Sequence, residues 1–230
     1  MKNITIIIPV YNNPKTIKQV VEDALLLNIF VIVIDDGSDV EVKSLLDEHS
    51  NLIVLRHNQN RGKGVAILTG VKEARKRGFE YVVSVDGDGQ HYPKEIEHLL
   101  PFIKDENIVI GNRKFEENVP NSSKFGRQFS NFWIWAESGR WLEDTQSGFR
   151  AYPVSILDLN LTQGRYDLEI EVLIKHLWSR RDIKEVAIEV YYPPKGTRVS
   201  HFDKVQDNIR LSKIHSRLFI LNILRLLRFR

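Results

Sequence analysis

The chain has 230 residues, 42% of them hydrophobic and 27% charged, with four Trp, eleven Phe and seven Tyr. This composition excludes a disordered chain and suffices for a buried core, so we expect one domain, or one domain with an appendage. The absence of cysteine excludes disulfides and thiolate zinc sites, and it fits a reducing compartment.

The net charge of +3 is unevenly distributed along the chain. Residues 195–230 carry a net charge of +7, whereas residues 1–194 carry −4. The apolar run Ile4–Ile8 is too short for a signal peptide, and no uncharged apolar run approaches the ~20 residues that span a bilayer. We therefore expect a cytoplasmic protein whose basic charge belongs to its C-terminal tail.

Apolar strands alternate with amphipathic helices through the first half of the chain. The predicted strands are Ile4–Val10, Phe30–Ile34, Leu52–Leu55, Tyr81–Val85, Ile108–Ile110 and Val186–Tyr192. The predicted helices cover 17–25, 40–49, 65–77, 93–104 and 127–140, with another beginning near 166–171 and one from 205 onward. Residues 114–126 are polar and predict a loop. This alternation predicts an α/β fold, with a Rossmann-like, mostly parallel sheet flanked by helices.

Polar clusters follow the predicted strands. They are Pro9–Asn12, Asp35–Asp39, Asn58–Gly64 and Asp86–His91. In doubly wound sheets, ligands bind beyond the carboxyl ends of the strands. We therefore expect the four clusters to meet in one crevice, although they are far apart in sequence.

The stretch that ends the fourth strand predicts a metal site. Side chains alternate along an extended segment, so Asp86 and Asp88 can point the same way where the strand ends. Gln90 and His91 add two potential ligands. Two carboxylates and a neutral oxygen suit Mg²⁺ or Mn²⁺, although Asp-Gly pairs also form ordinary turns.

Asp35 and Asp36, at the end of the second strand, can accept hydrogen bonds from a base or a ribose. The alternative is a helix cap, for which Ser38 or Asp39 suffices. Residues 60–64 are glycine-rich but lack the P-loop spacing, and no dinucleotide-binding glycine motif follows the first strand. The sequence thus disfavours a P-loop NTPase or a Rossmann dehydrogenase.

Five segments, in this order and at these intervals, resemble family 2 glycosyltransferases of the GT-A fold. They are Ile8–Asn12, Asp35–Ser38, Asn60–Gly64, Asp86–His91 and Asp144–Arg150. The likeness covers about residues 4–200 and is greatest to the polyprenyl-phosphate glycosyltransferases of the dolichyl-phosphate mannose synthase branch. The resemblance implies a GT-A domain over residues 1–204, followed by a basic amphipathic helix over 205–230.

The resemblance also implies inverting transfer from a UDP- or GDP-sugar. By this likeness the donor nucleotide is bound by Pro9, Tyr11, Asn12, Asp35, Asp36, Gly62 and Lys63. Asp86 and Asp88 look like the D-x-D pair of the family and, with Gln90, bind Mg²⁺ or Mn²⁺ on the donor diphosphate. The metal stabilises the departing nucleoside diphosphate, which makes both aspartates catalytic.

Two chemical classes of acceptor are compatible with these residues. A hydroxyl acceptor needs a general base, and Asp144 sits where many family members place a catalytic base. A polyprenyl phosphate is already anionic and needs cations instead. For that acceptor, the resemblance implies binding by Arg113, Arg127, Gln146, Arg198 and Ser200, with Asp144 and Glu169 near the sugar. Residues 195–202 match the lipid-phosphate branch only in part.

The tail reads as one helix with basic residues at Arg210, Lys213, Arg217, Arg225 and Arg228. Such a helix suits an anionic membrane surface, or it packs on the sheet or on a second subunit to give a homodimer. We expect no nucleic-acid partner, and we expect a peripheral protein on the inner face of the cell membrane. A non-catalytic nucleotide-sugar-binding module is the alternative from another functional class.

Overall fold

The computed structural model describes residues 2–113, 121–162, 164, 165, 167–191 and 206–228. The strands are β1 (Ile4–Val10), β2 (Phe30–Asp35), β3 (Leu52–Arg56), β4 (Tyr81–Ser84), β5 (Ile108–Arg113), β6 (Arg150–Pro153) and β7 (Ile183–Ile188). The α-helices are α1 (Ile17–Leu25), α2 (Lys63–Lys76), α3 (Ile96–Leu99), α4 (Asn121–Ser138), α5 (Asp167–Trp178) and α6 (Gln206–Arg228). Short 3-10 turns cover Val42–Leu45, Pro93–Glu95, Leu100–Phe102 and Val154–Asp158.

The seven strands form one sheet in the order β3-β2-β1-β4-β6-β5-β7. All neighbouring strands are parallel except β6, which is antiparallel to both β4 and β5. The predicted α/β fold with a mostly parallel sheet is therefore confirmed. Strands β2 and β3 lie on one side of β1, and β4 lies on the other side. The order of the strands therefore reverses at β1, and the crevice beyond the carboxyl ends of β1, β2 and β4 is the expected ligand site.

The central strand β1 is apolar throughout because both of its faces are covered. Ile6 and Ile8 pack with α1 on one side of the sheet, whereas Ile7 packs with α2 on the other. All three side chains are fully buried. This explains the continuous β-branched run, since a parallel strand buried on both faces does not alternate between apolar and polar residues.

Three predicted elements differ from the structure. The predicted helix over 40–49 is only the 3-10 turn Val42–Leu45, in which Val42 alone is buried, too narrow an apolar face for a longer helix. Residues 121–126 belong to α4 rather than to a loop. The last predicted strand, Val186–Tyr192, is instead β7, which starts three residues earlier because Ile183 is buried in the core.

The C-terminal helix predicted from residue 205 is present as α6, and it packs against α4 and α5. Its side chains Ile214 and Leu218 are buried in the same core cluster as the α2 side of the sheet. The proposed division between residues 204 and 205 stays a prediction. Within the described ranges, no helix is both long and apolar enough to cross a bilayer.

Candidate functional site

The loops after β1 and β2 are joined by hydrogen bonds at the edge of the crevice. The Asn12 backbone N–H donates to Ser38 Oγ over 3.0 Å, and Asn12 Oδ1 accepts from the Asp39 backbone N–H over 2.8 Å. Pro9 is buried at the end of β1, and Tyr11 is half-buried beyond it. These contacts fix the first two predicted nucleotide-binding segments against each other.

Asp35 is fully buried, and its carboxylate accepts hydrogen bonds from other residues of the chain. Its Oδ1 accepts from the Ser38 N–H over 2.8 Å, and its Oδ2 accepts from the Val42 N–H over 3.1 Å and from Arg56 Nη1. A carboxylate has about four lone-pair positions, so three are used. Asp35 therefore shapes the loop after β2 as well as facing the crevice edge.

Asp36 holds the glycine-rich loop. Its Oδ1 accepts from the Arg61 N–H over 3.0 Å and lies 2.6 Å from His57 Nδ1, while its Oδ2 accepts from the Gly62 N–H over 2.8 Å. Because Gly62 directly precedes α2, Asp36 fixes where that helix begins. This brings Lys63, the first residue of α2, to the crevice.

Lys63 lies between two carboxylates from distant parts of the chain. Its Nζ is 2.8 Å from Asp86 Oδ1 and 3.4 Å from Glu169 Oε2. Burial acts to raise the pKa of Asp86, but the charge and hydrogen bond of Lys63, together with the charge of Arg113, outweigh it and hold that pKa below its usual range. Asp86 is therefore ionised at neutral pH.

Glu169 and Gly148 complete this part of the crevice. The second carboxylate oxygen of Glu169, Oε1, is buried and has no hydrogen-bond partner among the described residues. At Gly148, an added Cβ would lie 2.5 Å from Asp86 Oδ2 and 2.6 Å from Lys63 Nζ. The missing side chain at Gly148 thus leaves room for the Asp86–Lys63 pair.

The predicted metal ligands follow β4 as expected. Asp86, Asp88 and Gln90 are half-buried, and the Gln90 N–H donates to Asp88 Oδ1 over 3.0 Å. Within the described part of the chain, His, Asp and Glu side chains nowhere gather in groups of three that could hold a metal. An ionised Asp86, with Asp88 and an amide oxygen, fits a hard divalent cation that also binds substrate phosphates.

His91 lies behind this loop, with its ring 5.4 Å from the Phe149 ring and its Nδ1 3.9 Å from Asp86 Oδ2. In the part of the chain that the structure describes, neither ring nitrogen has a hydrogen-bond partner. Burial, together with the positive charges of Arg113 and Lys63, lowers the pKa of His91 to about 4. His91 is therefore neutral and adds no charge to the crevice.

A second charge cluster lies at the end of β5. Asp144 is fully buried, and its two oxygens accept two side-chain hydrogen bonds from Arg113, of 2.8 Å and 2.9 Å. The Arg113 backbone N–H also donates to Asp144 over 3.1 Å, and Arg127 Nε lies 3.3 Å from Asp144 Oδ1. Burial acts to raise the pKa of Asp144, but the hydrogen bonds and charges of the two arginines hold it below its usual range.

The segment that carries Asp144 is fixed from both sides. Glu185 of β7 accepts from the backbone N–H groups of Glu143 and Asp144, over 2.8 Å and 2.9 Å. The fully buried Arg150 donates to the carbonyl oxygens of Thr145 and Ser147, over 2.7 Å and 2.6 Å. Asp144 thus reaches the crevice on a rigid loop.

A family comparison decides the class of the protein. The model of the family described as "Glycosyl transferase family 2" matches residues 5–159, more than half of the chain. The chain belongs to this family. The resemblance predicted from the five sequence segments is therefore confirmed, and the protein is a glycosyltransferase with a GT-A fold.

Curated relatives of this glycosyltransferase agree with the predicted branch. The UDP-N-acetylglucosamine–dolichyl-phosphate N-acetylglucosaminyltransferase of Methanococcus voltae is 34% identical, across 86% of this chain and 91% of the relative. The polyprenol monophosphomannose synthase of Mycolicibacterium smegmatis is 27% identical, across 80% of this chain and 75% of the relative. The first is named for dolichyl phosphate, and the second for the synthesis of polyprenol monophosphomannose.

A solved structure shares the fold at low sequence identity. Glucosyl-3-phosphoglycerate synthase from Mycobacterium tuberculosis, crystallised with Mn²⁺, UDP-glucose and phosphoglyceric acid, superposes with a TM-score of 0.68 and 18% identity. The match covers 96% of this chain and 79% of that one. That enzyme therefore binds Mn²⁺ and a UDP-sugar on the same fold.

The structure brings six of the predicted site residues of the glycosyltransferase together in two charge clusters. Lys63, Asp86 and Glu169 form one charge cluster, and Arg113, Arg127 and Asp144 form the other. Gln146 is exposed and donates to the Gly126 carbonyl oxygen over 3.2 Å, at the start of α4. Arg198 and Ser200 lie outside the described residues, so their predicted acceptor contacts stay predictions.

Two residues at the site were assigned no role from the sequence. Arg150 organises the loop before β6 and also donates to the Glu169 carbonyl oxygen over 3.1 Å. Glu185 holds the Asp144 backbone from β7. The signal for Arg150 was its place between Phe149 and Ala151 in an apolar stretch, where a charged side chain must find buried partners.

Proposed function

We propose that this chain is an inverting, divalent-metal-dependent glycosyltransferase that moves a sugar from a UDP- or GDP-sugar to a polyprenyl phosphate. The observation that carries the proposal is the cluster of Arg113, Arg127 and Asp144. Two arginines converge on one buried carboxylate at the end of β5. Paired guanidinium groups suit an anionic acceptor, because arginine binds phosphate through strong charge-assisted hydrogen bonds.

The same cluster argues against a hydroxyl acceptor. A general base must offer a lone pair to the proton that it removes. Asp144 already accepts three hydrogen bonds from Arg113 and lies in ionic contact with Arg127, which together occupy its roughly four lone-pair positions. We therefore assign Asp144 to holding the two arginines rather than to proton transfer.

The donor half follows from the other charge cluster. We assign Asp86, Asp88 and Gln90 to a divalent cation, which when bound neutralises charge on the departing nucleoside diphosphate. Lys63, beside Asp86, is placed to approach the same diphosphate. The unpartnered Oε1 of Glu169 is free to accept a hydrogen bond from a sugar hydroxyl.

In the proposed reaction, an anionic oxygen of the acceptor phosphate attacks the anomeric carbon of the donor sugar. The new bond joins that oxygen to the anomeric carbon, and the bond from the anomeric carbon to the diphosphate breaks on the opposite face. The departing nucleoside diphosphate takes the electron pair, so configuration inverts. The acceptor loses no proton, and the crevice needs no base.

The proposed location is the cytoplasmic face of the cell membrane, where anionic lipids attract the basic C-terminal segment. Two names support a UDP-sugar as the first donor to test. The Methanococcus voltae relative is named for a UDP-sugar, and the solved neighbour holds UDP-glucose. The relatives named for dolichyl phosphate and polyprenol support the acceptor.

The test measures nucleotide release from a panel of UDP- and GDP-sugars with Mn²⁺ or Mg²⁺. Polyprenyl phosphate and the matching unphosphorylated polyprenol are compared as acceptors. We expect release with one donor, dependent on metal, stimulated by the phosphate alone and accompanied by a glycosylated phospholipid. Equal stimulation by polyprenol would favour the hydroxyl acceptor. Nucleotide release that neither acceptor stimulates would indicate hydrolysis of the donor alone and contradict the proposal.

A further inference from the structure

A continuous apolar surface covers the outer side of α4 and α6. We define the apolar face as Phe129, Phe132, Trp135, Phe219, Ile223 and Leu227, whose side chains are each between 39% and 63% exposed. Phe219, Ile223 and Leu227 are spaced four residues apart, so they form one row along α6. A surface of this kind on a soluble domain marks a site of interaction.

The half-buried Trp133 joins the two helices into one surface. Its ring lies 6.2 Å from the ring of Phe129 and 5.8 Å from the ring of Phe132 on the same helix. Across the helix boundary, it lies 6.1 Å from the ring of Phe219 in an edge-on contact. Because Trp133 packs against α6, the exposed rings of α4 are held in place beside the row on α6.

Basic residues border the apolar face. Helix α6 carries five basic residues against the single acidic residue Asp207, a net charge of +4. Arg225 faces inward and donates to the Trp178 carbonyl oxygen over 3.3 Å, whereas Lys213 and Arg217 are exposed. Arg217 also donates to Thr162 Oγ1 over 2.6 Å. With 3.6 residues per turn, the exposed Lys213 lies about 40° around the helix from Leu227. The face thus has an apolar centre with a cationic edge.

The net charge of α6 distinguishes between two partners for the apolar face, a second copy of the chain and a lipid surface. A two-fold dimer through this face would bring the same helix, with its net charge of +4, against itself. An anionic bilayer instead complements both parts, because rings enter the headgroup boundary while lysine and arginine reach lipid phosphates. We propose that the apolar face docks the protein onto an anionic membrane surface.

The face is connected to the site by one helix. Arg127 lies two residues before Phe129 on α4, and it is buried beside Asp144. The helix therefore presents a cation inward to the proposed acceptor site and aromatic rings outward to the membrane. This link rests on the proposed function, since it explains how the phosphate of a membrane-embedded acceptor reaches Arg127.

The experiment is flotation of the full chain with vesicles of phosphatidylcholine, with or without about one third phosphatidylglycerol, lacking donor and polyprenyl phosphate. We expect binding to the anionic vesicles and roughly tenfold weaker binding of the double variant Phe132→Ser/Ile223→Ser. The matched control is Leu26→Ser, at a residue 78% exposed after α1 on the other side of the sheet, which should bind like the parent.

A second readout does not depend on a destabilised variant. Lipids brominated near the headgroup should quench tryptophan emission of the bound parent, and Trp135→Phe should reduce that quenching. Lack of vesicle binding by the parent, or unchanged binding of the double variant, would overturn the proposal. So would a dimer that the double variant dissociates.

Different experimental outcomes would overturn the docking proposal and the proposed function. Docking without any sugar transfer would overturn the function and leave the membrane surface standing. Transfer to polyprenyl phosphate in detergent, without binding to vesicles, would overturn the docking and leave the function standing.

Discussion

Gly148 lies so close to Asp86 that a methyl group on Gly148 would come within 2.5 Å of Asp86 Oδ2. The same methyl would lie 2.6 Å from Lys63 Nζ. Both atoms end flexible side chains, so Gly148→Ala should displace them without unfolding the protein. We expect metal-dependent UDP binding to weaken about tenfold or more, while the free energy of unfolding changes by less than about 1 kcal/mol.

Isothermal titration with UDP and Mn²⁺, and denaturant unfolding, measure the two quantities. The matched control is Gly126→Ala, where the added Cβ meets Gln146 at an ordinary 3.8 Å. This control should bind UDP like the parent. Unchanged UDP binding in Gly148→Ala would show that the space beside Asp86 is not part of the donor site.

Asp144→Asn should destabilise the protein as well as reduce transfer. Arg113 and Arg127 would lose their shared countercharge in a buried place, and breaking a buried ion pair costs about 3 kcal/mol or more. Denaturant unfolding measures this loss. The neighbouring exposed Glu143→Gln makes the same chemical change and should alter stability by less than about 0.5 kcal/mol. Equal stabilities of the two variants would contradict the role given to Asp144.

Lys63→Met should change metal and nucleotide binding in opposite directions. The Lys63 ammonium is 2.8 Å from Asp86, so it repels a cation that binds this carboxylate. Removing it should strengthen binding of Mn²⁺ alone and weaken binding of UDP, each by roughly tenfold. Manganese titration followed by electron paramagnetic resonance measures the first effect. Weaker Mn²⁺ binding in Lys63→Met would contradict this relation.

Stability should fall as the pH drops from 6.5 to 4 in part because of His176. Burial lowers the pKa of this histidine from its ordinary 6.5 to about 4, and its Nε2 donates to the Asp182 carbonyl oxygen over 3.2 Å. In that pH range the unfolded chain binds the extra proton, so the folded state loses up to about 1.4 kcal/mol per pH unit.

His176→Gln keeps a hydrogen-bond donor and removes the titration. Denaturant unfolding across this pH range should give a smaller slope for the variant than for the parent. An unchanged slope in His176→Gln would contradict the assignment.

Local sequence signals predicted the strands that carry the proposed donor site. The run Ile4–Val10 is a buried strand, and Asp86 and Asp88 follow β4, because apolar strands and the polar residues after them are visible in sequence. The structure added that Asp35 and Asp36 each bind three groups within the protein. Those partners, such as Arg56 of β3 and Gly62 before α2, lie 21 and 26 residues further along the chain, where no local sequence pattern records the contact.

The proposed acceptor site was harder to predict because its residues are brought together by contacts across the sheet. Strand β6 has four residues and contains Arg150, so its apolar pattern is too short to recognise. The sequence left Asp144 between a general base and a residue near the sugar. Its contact with Arg113, 31 residues earlier in the chain, supports the proposed role of holding the arginines.

The placement of β6 has a consequence for how such enzymes can diversify. Arg150, where β6 begins, pairs with Ile110 near the end of β5 and with Ser84 at the end of β4. The chain thus leaves the sheet after β5 and returns to the same edge at β6, with α4 between them. A segment of another length between β5 and β6 would keep the strand order if it supplied an apolar counterpart of Ile134, which α4 buries in the core. A chimera that carries the segment between β5 and β6 of a relative would test whether this segment alone determines the choice of acceptor.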